Sequence, residues 1–369
     1  MQLTASSLIH SRRYTSVVTR LAAALWFVAV GMVLFACTDD VPALQSESAS
    51  VPQQQAVQEP EDADDSLCSL LNPLINRRSI TEPRVGYGDV VDAIEQGATI
   101  NIRCAGGTSP LHFAAATHGL QVVELLINQG ADVHAVNSAG ETPLIYAVGA
   151  IGGSDTNAAT LRALLNAGAD VNAAREFGQT ALHVAALNSK PNAMAVLFEF
   201  DPLPDALDNG GRTPLHYAAL QSASAEPARM LLAAGADPNA TAEDGSTPLH
   251  DAVVYASVDV VRLLLEAGAA PNPLDDLALT PLLHAARAGG ASLIRVLLEH
   301  GADPNAVDPD GRTPLHVSAR YNPLSAVSAL LLDAGVDPAL RDQHGNTACD
   351  VLNEHLSDPE VRQRICKDG

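Results

Sequence analysis

The chain has 369 residues, of which 47% are hydrophobic but only 4% aromatic, and its formal net charge is −22. So acidic a surface repels phosphate backbones, which recruit Lys and Arg, and therefore argues against nucleic acid; it suits either a protein partner with a basic patch or a charge that simply keeps the chain soluble and monomeric. Few aromatics among abundant Ala and Leu suit thin, closely packed helix pairs better than one thick core. The first element in chain order is an uncharged apolar run over 21–36, preceded by Arg12, Arg13 and Arg20. A cationic flank before a short apolar stretch is the layout of an export signal, and the run is shorter than the about 20 residues that a spanning helix needs.

That run ends in Leu34-Phe35-Ala36-Cys37, which resembles the lipobox of bacterial lipoproteins, with Phe35 a departure from the usual small residue. The resemblance implies a signal peptide over 1–36, a lipidated Cys37 as first mature residue, and a lipid-anchored position on the periplasmic side of a bacterial envelope. A plain signal peptide and an uncleaved N-terminal membrane anchor are the other readings. Residues 37–65 are Ser, Gln, Pro, Ala and acid with little to bury, which predicts a disordered linker reaching roughly 30 Å.

Setting Cys37 aside, Cys68, Cys104, Cys349 and Cys366 form an even set, as expected of an exported disulfide-bonded protein. Four cysteines allow three pairings. Cys68 and Cys104 lie at the front of a repeat array and Cys349 and Cys366 at its end, too far apart for the roughly 4.4–6.8 Å Cα spacing of a disulfide. The expected bonds are therefore Cys68–Cys104 and Cys349–Cys366. No Cys-x2-Cys or clustered Cys/His spacing points to a metal.

From residue 109 onward one phrase recurs: Ser109-Pro110-Leu111-His112, Thr142-Pro143-Leu144, Thr180-Ala181-Leu182-His183, Thr213-Pro214-Leu215-His216, Thr247-Pro248-Leu249-His250, Thr280-Pro281-Leu282, Thr313-Pro314-Leu315-His316 and a decayed Thr347-Ala348-Cys349. Successive starts step by 33, 38, 33, 34, 33, 33 and 34 residues, so one supersecondary unit is stacked many times. In the copy from Thr313, that Thr suits an N-cap, Pro314 the first helical position and Gly335 a left-handed helix exit, giving helix, loop, helix and β-turn.

The period, the phrase and the Gly-Ala-Asp exits at Gly130, Gly168, Gly235 and Gly301 resemble the ankyrin repeat. The resemblance implies an all-α ankyrin-repeat solenoid: a capping partial repeat over 66–108, seven repeats over 109–346 and a capping half repeat over 347–369. Three departures stand out. Asp201 replaces an exit Gly, predicting altered turn geometry. The 38-residue step inserts extra residues near Gly149 to Asn157, including Gly152-Gly153-Ser154. Leu283 takes the usual histidine position, displacing His284 by one.

His112, His183, His216, His250 and His316 recur once per repeat, so they form a ladder rather than a catalytic or metal cluster. By the resemblance they are structural. No HExxH, GxSxG, P-loop or GxGxxG pattern occurs in its required context, and residues 66–84 are too few for a catalytic domain. The expectation is a non-enzymatic module without cofactor; the enzymatic rival would use Asp251 and His284. The resemblance further implies a partner gripped on a concave face by turn tips and first-helix ends. The tips are Glu176, Phe177 and Gln179; Asn209 and Arg212; Glu243, Asp244 and Ser246; Asp276, Leu277 and Leu279; Asp310 and Arg312. The helix positions are Gln221, Tyr255, Arg287, Arg320 and Tyr321. Phe177, Tyr255, Leu277 and Tyr321 are large groups that packing does not require there, and interface anchors are commonly aromatic or Arg. The reading is a monomer that holds one protein partner, either as a scaffold or as an immunity-type inhibitor of a toxin or enzyme, and touches membrane only through its lipid.

Overall fold

The computed structural model describes residues 66–71, 86–117, 119–150, 158–221, 224–255, 257–288, 290–322, 324–352 and 358–366. The export-signal run, Cys37, the linker and Gly152-Gly153-Ser154 lie outside those residues. Two short helices lead: α1 (Ser66–Leu71) and α2 (Tyr87–Glu95). Seven antiparallel pairs follow: α3/α4 (Pro110–Thr117, Leu120–Asn128), α5/α6 (Pro143–Gly149, Ala158–Asn166), α7/α8 (Ala181–Leu187, Pro191–Leu197) and α9/α10 (Pro214–Ala219, Glu226–Ala233), then α11/α12 (Pro248–Val254, Val258–Glu266), α13/α14 (Pro281–Ala288, Ala291–Glu299) and α15/α16 (Pro314–Tyr321, Ser325–Asp333). Helix α17 (Pro359–Ile365) ends the described chain. Extended structure among the described residues amounts to one isolated antiparallel bridge, Ala174 with Thr180.

The repeated phrase sets each first helix. Thr142 and Thr313 cap theirs by accepting the amides of Ile145 and His316, and Pro at the first turn gives up an N–H that would find no partner there. The second helices bury one stripe, as Val260, Val261, Leu264 and Leu265 do in α12. They end on left-handed glycines such as Gly235 at φ 89° and Gly335 at φ 87°, the conformation an exit turn requires. At Asp201, where altered geometry is expected, the residue is left-handed like the glycines, at φ 51° and ψ 55°, and the alteration is a 3-10 turn over Phe198–Phe200. Its short side chain tolerates that region better than most non-glycine residues.

No single pair can shelter its own apolar side. First helices pack on first helices and second on second along the stack, so the core runs unbroken from Leu67 to Ile365. Exit-turn asparagines tie consecutive repeats: Asn239 donates to the Gly268 carbonyl (3.1 Å) and accepts the Ala270 amide (2.7 Å), and Asn272 does the same for Gly301 and Asp303. Asn239, although in an Asn-Ala-Thr sequon, is thus committed to the fold. Before the insertion, the Lys190 ammonium caps α5 by donating to the carbonyls of Val148 (2.8 Å) and Ala150 (2.7 Å).

Terminal repeats have one neighbour each and fray most easily. Disulfides hold both ends: Cys68–Cys104 with Cα atoms 5.5 Å apart, and Cys349–Cys366 at 5.1 Å. The decayed phrase at Thr347 forms turns rather than a helix, with Asp350 accepting the Thr347 amide and hydroxyl at 2.8 Å.

Candidate functional site

Between the helix pairs the chain makes tight hairpin fingers whose orientation depends on the histidine ladder. In His183, His216, His250 and His316 the Nδ1 accepts the backbone N–H of the Thr three residues earlier, at 3.1–3.3 Å; His112 does so with Ser109. With Nδ1 an acceptor, Nε2 carries the proton and donates to a carbonyl just before the next phrase: Glu141, Arg212, Ser246, Leu279 and Asn346, at 2.8–3.2 Å. Each imidazole thus caps its own helix and clamps the following finger. Burial pushes His112, His183, His216 and His250 below the ordinary value, His216 to about 4, which preserves the neutral form. Edge-on rings from the next repeat complete the clamp: Tyr146 on His112 (5.7 Å), Tyr217 on His183 (5.6 Å) and His284 on His250 (5.8 Å).

Polar side chains run behind the fingertips. Arg175 bridges Glu141 (2.9 Å) and Gln179 (2.8 Å); Gln179 donates to the Tyr217 hydroxyl, which donates to Asp208 (2.6 Å). Arg212 donates to Asp251 (2.6 Å), Asp244 (3.1 Å) and Ser246 Oγ (3.3 Å). His284 meets Asp275 at 2.8 Å, and Arg312 meets Asp308 and Asp310 at 2.8 and 2.6 Å. Burial lifts the Asp251 carboxyl to about 6 against the pull of Arg212. For Asp275 burial works upward too, but hydrogen bonds from His284 and Leu279 prevail and hold it below the usual carboxylate range.

These contacts correct part of the sequence reading. Gln179 and Ser246 are buried, and the Arg212 side chain is only 12% exposed. All three face inward because a neighbouring repeat supplies their partners, so they brace the fingers rather than meet another molecule. Arg312 is tied within its own finger, by Asp308 and Asp310. Asp251 and His284, the residues of the enzymatic rival, are engaged separately by Arg212 and Asp275. Glu176, Phe177, Asn209, Glu243, Asp276, Arg287, Arg320 and Tyr321 are exposed, whereas Gln221, Asp244, Tyr255, Leu277, Leu279 and Asp310 are half-buried. Phe177 is the most open large hydrophobic group among the described residues at 63%. Two guanidinium groups lie over the Tyr321 ring, Arg287 at 4.9 Å and Arg320 at 5.4 Å, and the residue remains 40% exposed.

A second row went unread in the sequence. Six residues before the Thr of four phrases stand Val136, Leu207, Leu274 and Val307, 43–61% exposed. Aligning the repeats and reading that column, aliphatic yet outside both helices, is the signal that would have found it. Among the described residues no group of three or more His, Cys, Asp or Glu could hold a metal ion, and no helix is long and apolar enough to cross a membrane. A shallow apolar groove on the second-helix side, lined by Phe198, Pro202 and Met230 among others, involves none of the candidate residues.

Comparison with known proteins agrees with this architecture. The family model described as ankyrin repeats (3 copies) matches residues 84–174, 150–242 and 249–342. The chain is 28% identical over 165 residues to the nuclear factor NF-kappa-B p105 subunit of Gallus gallus, covering 44% of this chain and 17% of that protein. It is 32% identical over 151 residues to Rabankyrin-5 of Homo sapiens, covering 40% and 12%. With the E3 ubiquitin-protein ligase XBAT32 of Arabidopsis thaliana it shares 29% over 167 residues, covering 38% and 32%. The matches therefore span no more than 32% of these relatives' own length.

Proposed function

The chain belongs to the ankyrin-repeat family, and on that premise we propose that it is a non-enzymatic module whose fingertips and first-helix ends capture one protein partner. The observation that carries this reading is Phe177, 63% exposed at the tip of a finger that its neighbours hold rigid. A large ring left open to water at no benefit to the fold is a ready anchor for an interface. The partner presents a basic patch: the finger cations Arg175, Arg212 and Arg312 are consumed by internal ion pairs, while Glu176, Glu243 and Asp276 are exposed. Electrostatic complementarity of this kind speeds encounter and sets specificity.

The module is exported as a monomer and held in a bacterial envelope, on the periplasmic side, by lipid on Cys37. The cationic flank, the apolar run and the lipobox-like end support that placement, and two disulfides suit an oxidising compartment. Mass spectrometry of the mature N-terminus tests it: a lipidated Cys37 is expected, and an intact Met1 would refute it. The capture test is a Phe177→Ala/Tyr255→Ala double variant used as bait on a crosslinked envelope fraction. Recovery of the partner should drop while the melting temperature stays near that of the parent. Equal recovery would refute the assignment of the face.

A further inference from the structure

The fingertips are joined by a backbone ladder with one rung missing. At six junctions the second residue of a finger's turn donates its N–H to a carbonyl of the preceding finger: Ser138 to Gly106 (2.8 Å), Glu176 to Ala139 (3.1 Å), Asn209 to Phe177 (3.0 Å), Glu243 to Gly210 (2.9 Å), Asp276 to Asp244 (3.0 Å) and Gln343 to Asp310 (2.9 Å). The carbonyl at the remaining junction belongs to Leu277, and the residue opposite it is Pro309, which has no N–H. The fingers also differ at the next position. Gly140, Gly178, Gly211, Gly245 and Gly311 all have positive φ, and a Cβ on any of them would lie 2.7–3.2 Å from the following finger. At the Leu277 finger that position is Ala278, with φ 55°.

The two departures fit each other. The Ala278 methyl takes the space that a neighbouring amide would need, and Pro309 brings no amide to fill it. A left-handed Ala costs about 1 kcal/mol, and strain of this kind clusters at functional sites. Around the gap, Leu274 and Val307 on successive fingers are 58% and 53% exposed. The Asp276 carboxylate is exposed between them in sequence, and Arg312, the cation of the next finger, is already held by Asp308 and Asp310.

We propose that this junction admits an extended, cationic segment of the protein partner, which donates a backbone N–H to the Leu277 carbonyl. The inference rests on the capture function above and names the chemistry of the segment. Alternate side chains of an extended strand point to opposite sides, so a segment alternating aliphatic and cationic residues sets one group against Leu274 and Val307 and the other near Asp276. Main-chain bonds supply affinity and the side chains selectivity, as in other strand-addition interfaces.

The test uses the full-length protein and a fluorescein-labelled Lys-Val-Lys-Val-Lys-Val peptide, read by anisotropy. The parent binds it. The Ala278→Gly/Pro309→Asp variant, which restores the glycine and the amide of the other fingers, binds about tenfold more weakly. Leu274→Ser also weakens binding without altering the backbone, and N-methylation of alternate peptide amides abolishes it in one register only. Equal affinity for the gap-closed variant, no binding to the parent, or equal binding of a Glu-Val peptide would each overturn the proposal. If closing the gap leaves partner capture intact while Phe177→Ala/Tyr255→Ala abolishes it, the junction assignment fails and the capture face stands.

Discussion

His216 shows how one side chain fixes both a helix start and a neighbouring finger. Its Nδ1 accepts from Thr213 and its Nε2 donates to Ser246, an arrangement available only to the neutral ring. The unfolded ring titrates near 6.5 and the folded one at about 4, so between those values the unfolded chain binds more protons. The stabilisation is complete above pH 6.5 and is lost as pH falls toward 4, at about 1.4 kcal/mol per pH unit for this residue alone. Asp251, lifted to about 6, acts the opposite way as pH falls below 6, but four lowered histidines outweigh one raised carboxyl. Urea midpoints should therefore be lower at pH 5 than at pH 7, and His216→Gln should flatten the dependence; a midpoint that rises toward pH 5 would contradict this. Removing the side chain with Asp251→Ala leaves the buried Arg212 guanidinium with only the more exposed Asp244 and should cost about 3 kcal/mol in denaturant unfolding. The ladder was legible because Thr and His recur three residues apart. The fate of Arg212 was not, since Asp251 lies 39 residues onward and only stacking brings the two together.

At the scale of the element, the helix pairs followed from local chemistry: Thr-Pro starts, a leucine stripe and a glycine exit each act within one unit. Asp201 shows the limit of that reasoning, because a missing glycine signals strain without telling whether the turn yields or the residue does. Gly178 has no such latitude. At φ 78°, with Asn209 and Asp208 atoms 2.7–3.0 Å from any Cβ, Gly178→Ala must push the next finger away and should cost more than the about 1 kcal/mol of a left-handed Ala alone. Thermal melts would register the loss, and an unchanged melting temperature would show that the fingers slide freely. At the far end, the Cys349–Cys366 bond spans 17 residues. Cys349→Ser/Cys366→Ser should lower stability by about 3 kcal/mol, with hydrogen exchange accelerating first in α17.

For the whole molecule, stacking creates a surface that no single repeat contains. The 33-residue period disclosed the array and its finger positions. It did not disclose which finger residues turn inward, nor the aliphatic column at Val136, Leu207, Leu274 and Val307, because both depend on what the adjacent repeat offers. The same repetition separates two sides: fingertips with exposed rings and carboxylates, and second helices bearing groups such as Arg229, which pairs with Glu226 on its own helix. Site-specific photo-crosslinking in the source cells compares these sides directly, with a benzoylphenylalanine at Phe177 or at Arg229. A discrete protein adduct from position 177 and none from 229 is the result expected of a fingertip capture module. Adducts from 229 alone, or equally from both, would contradict it.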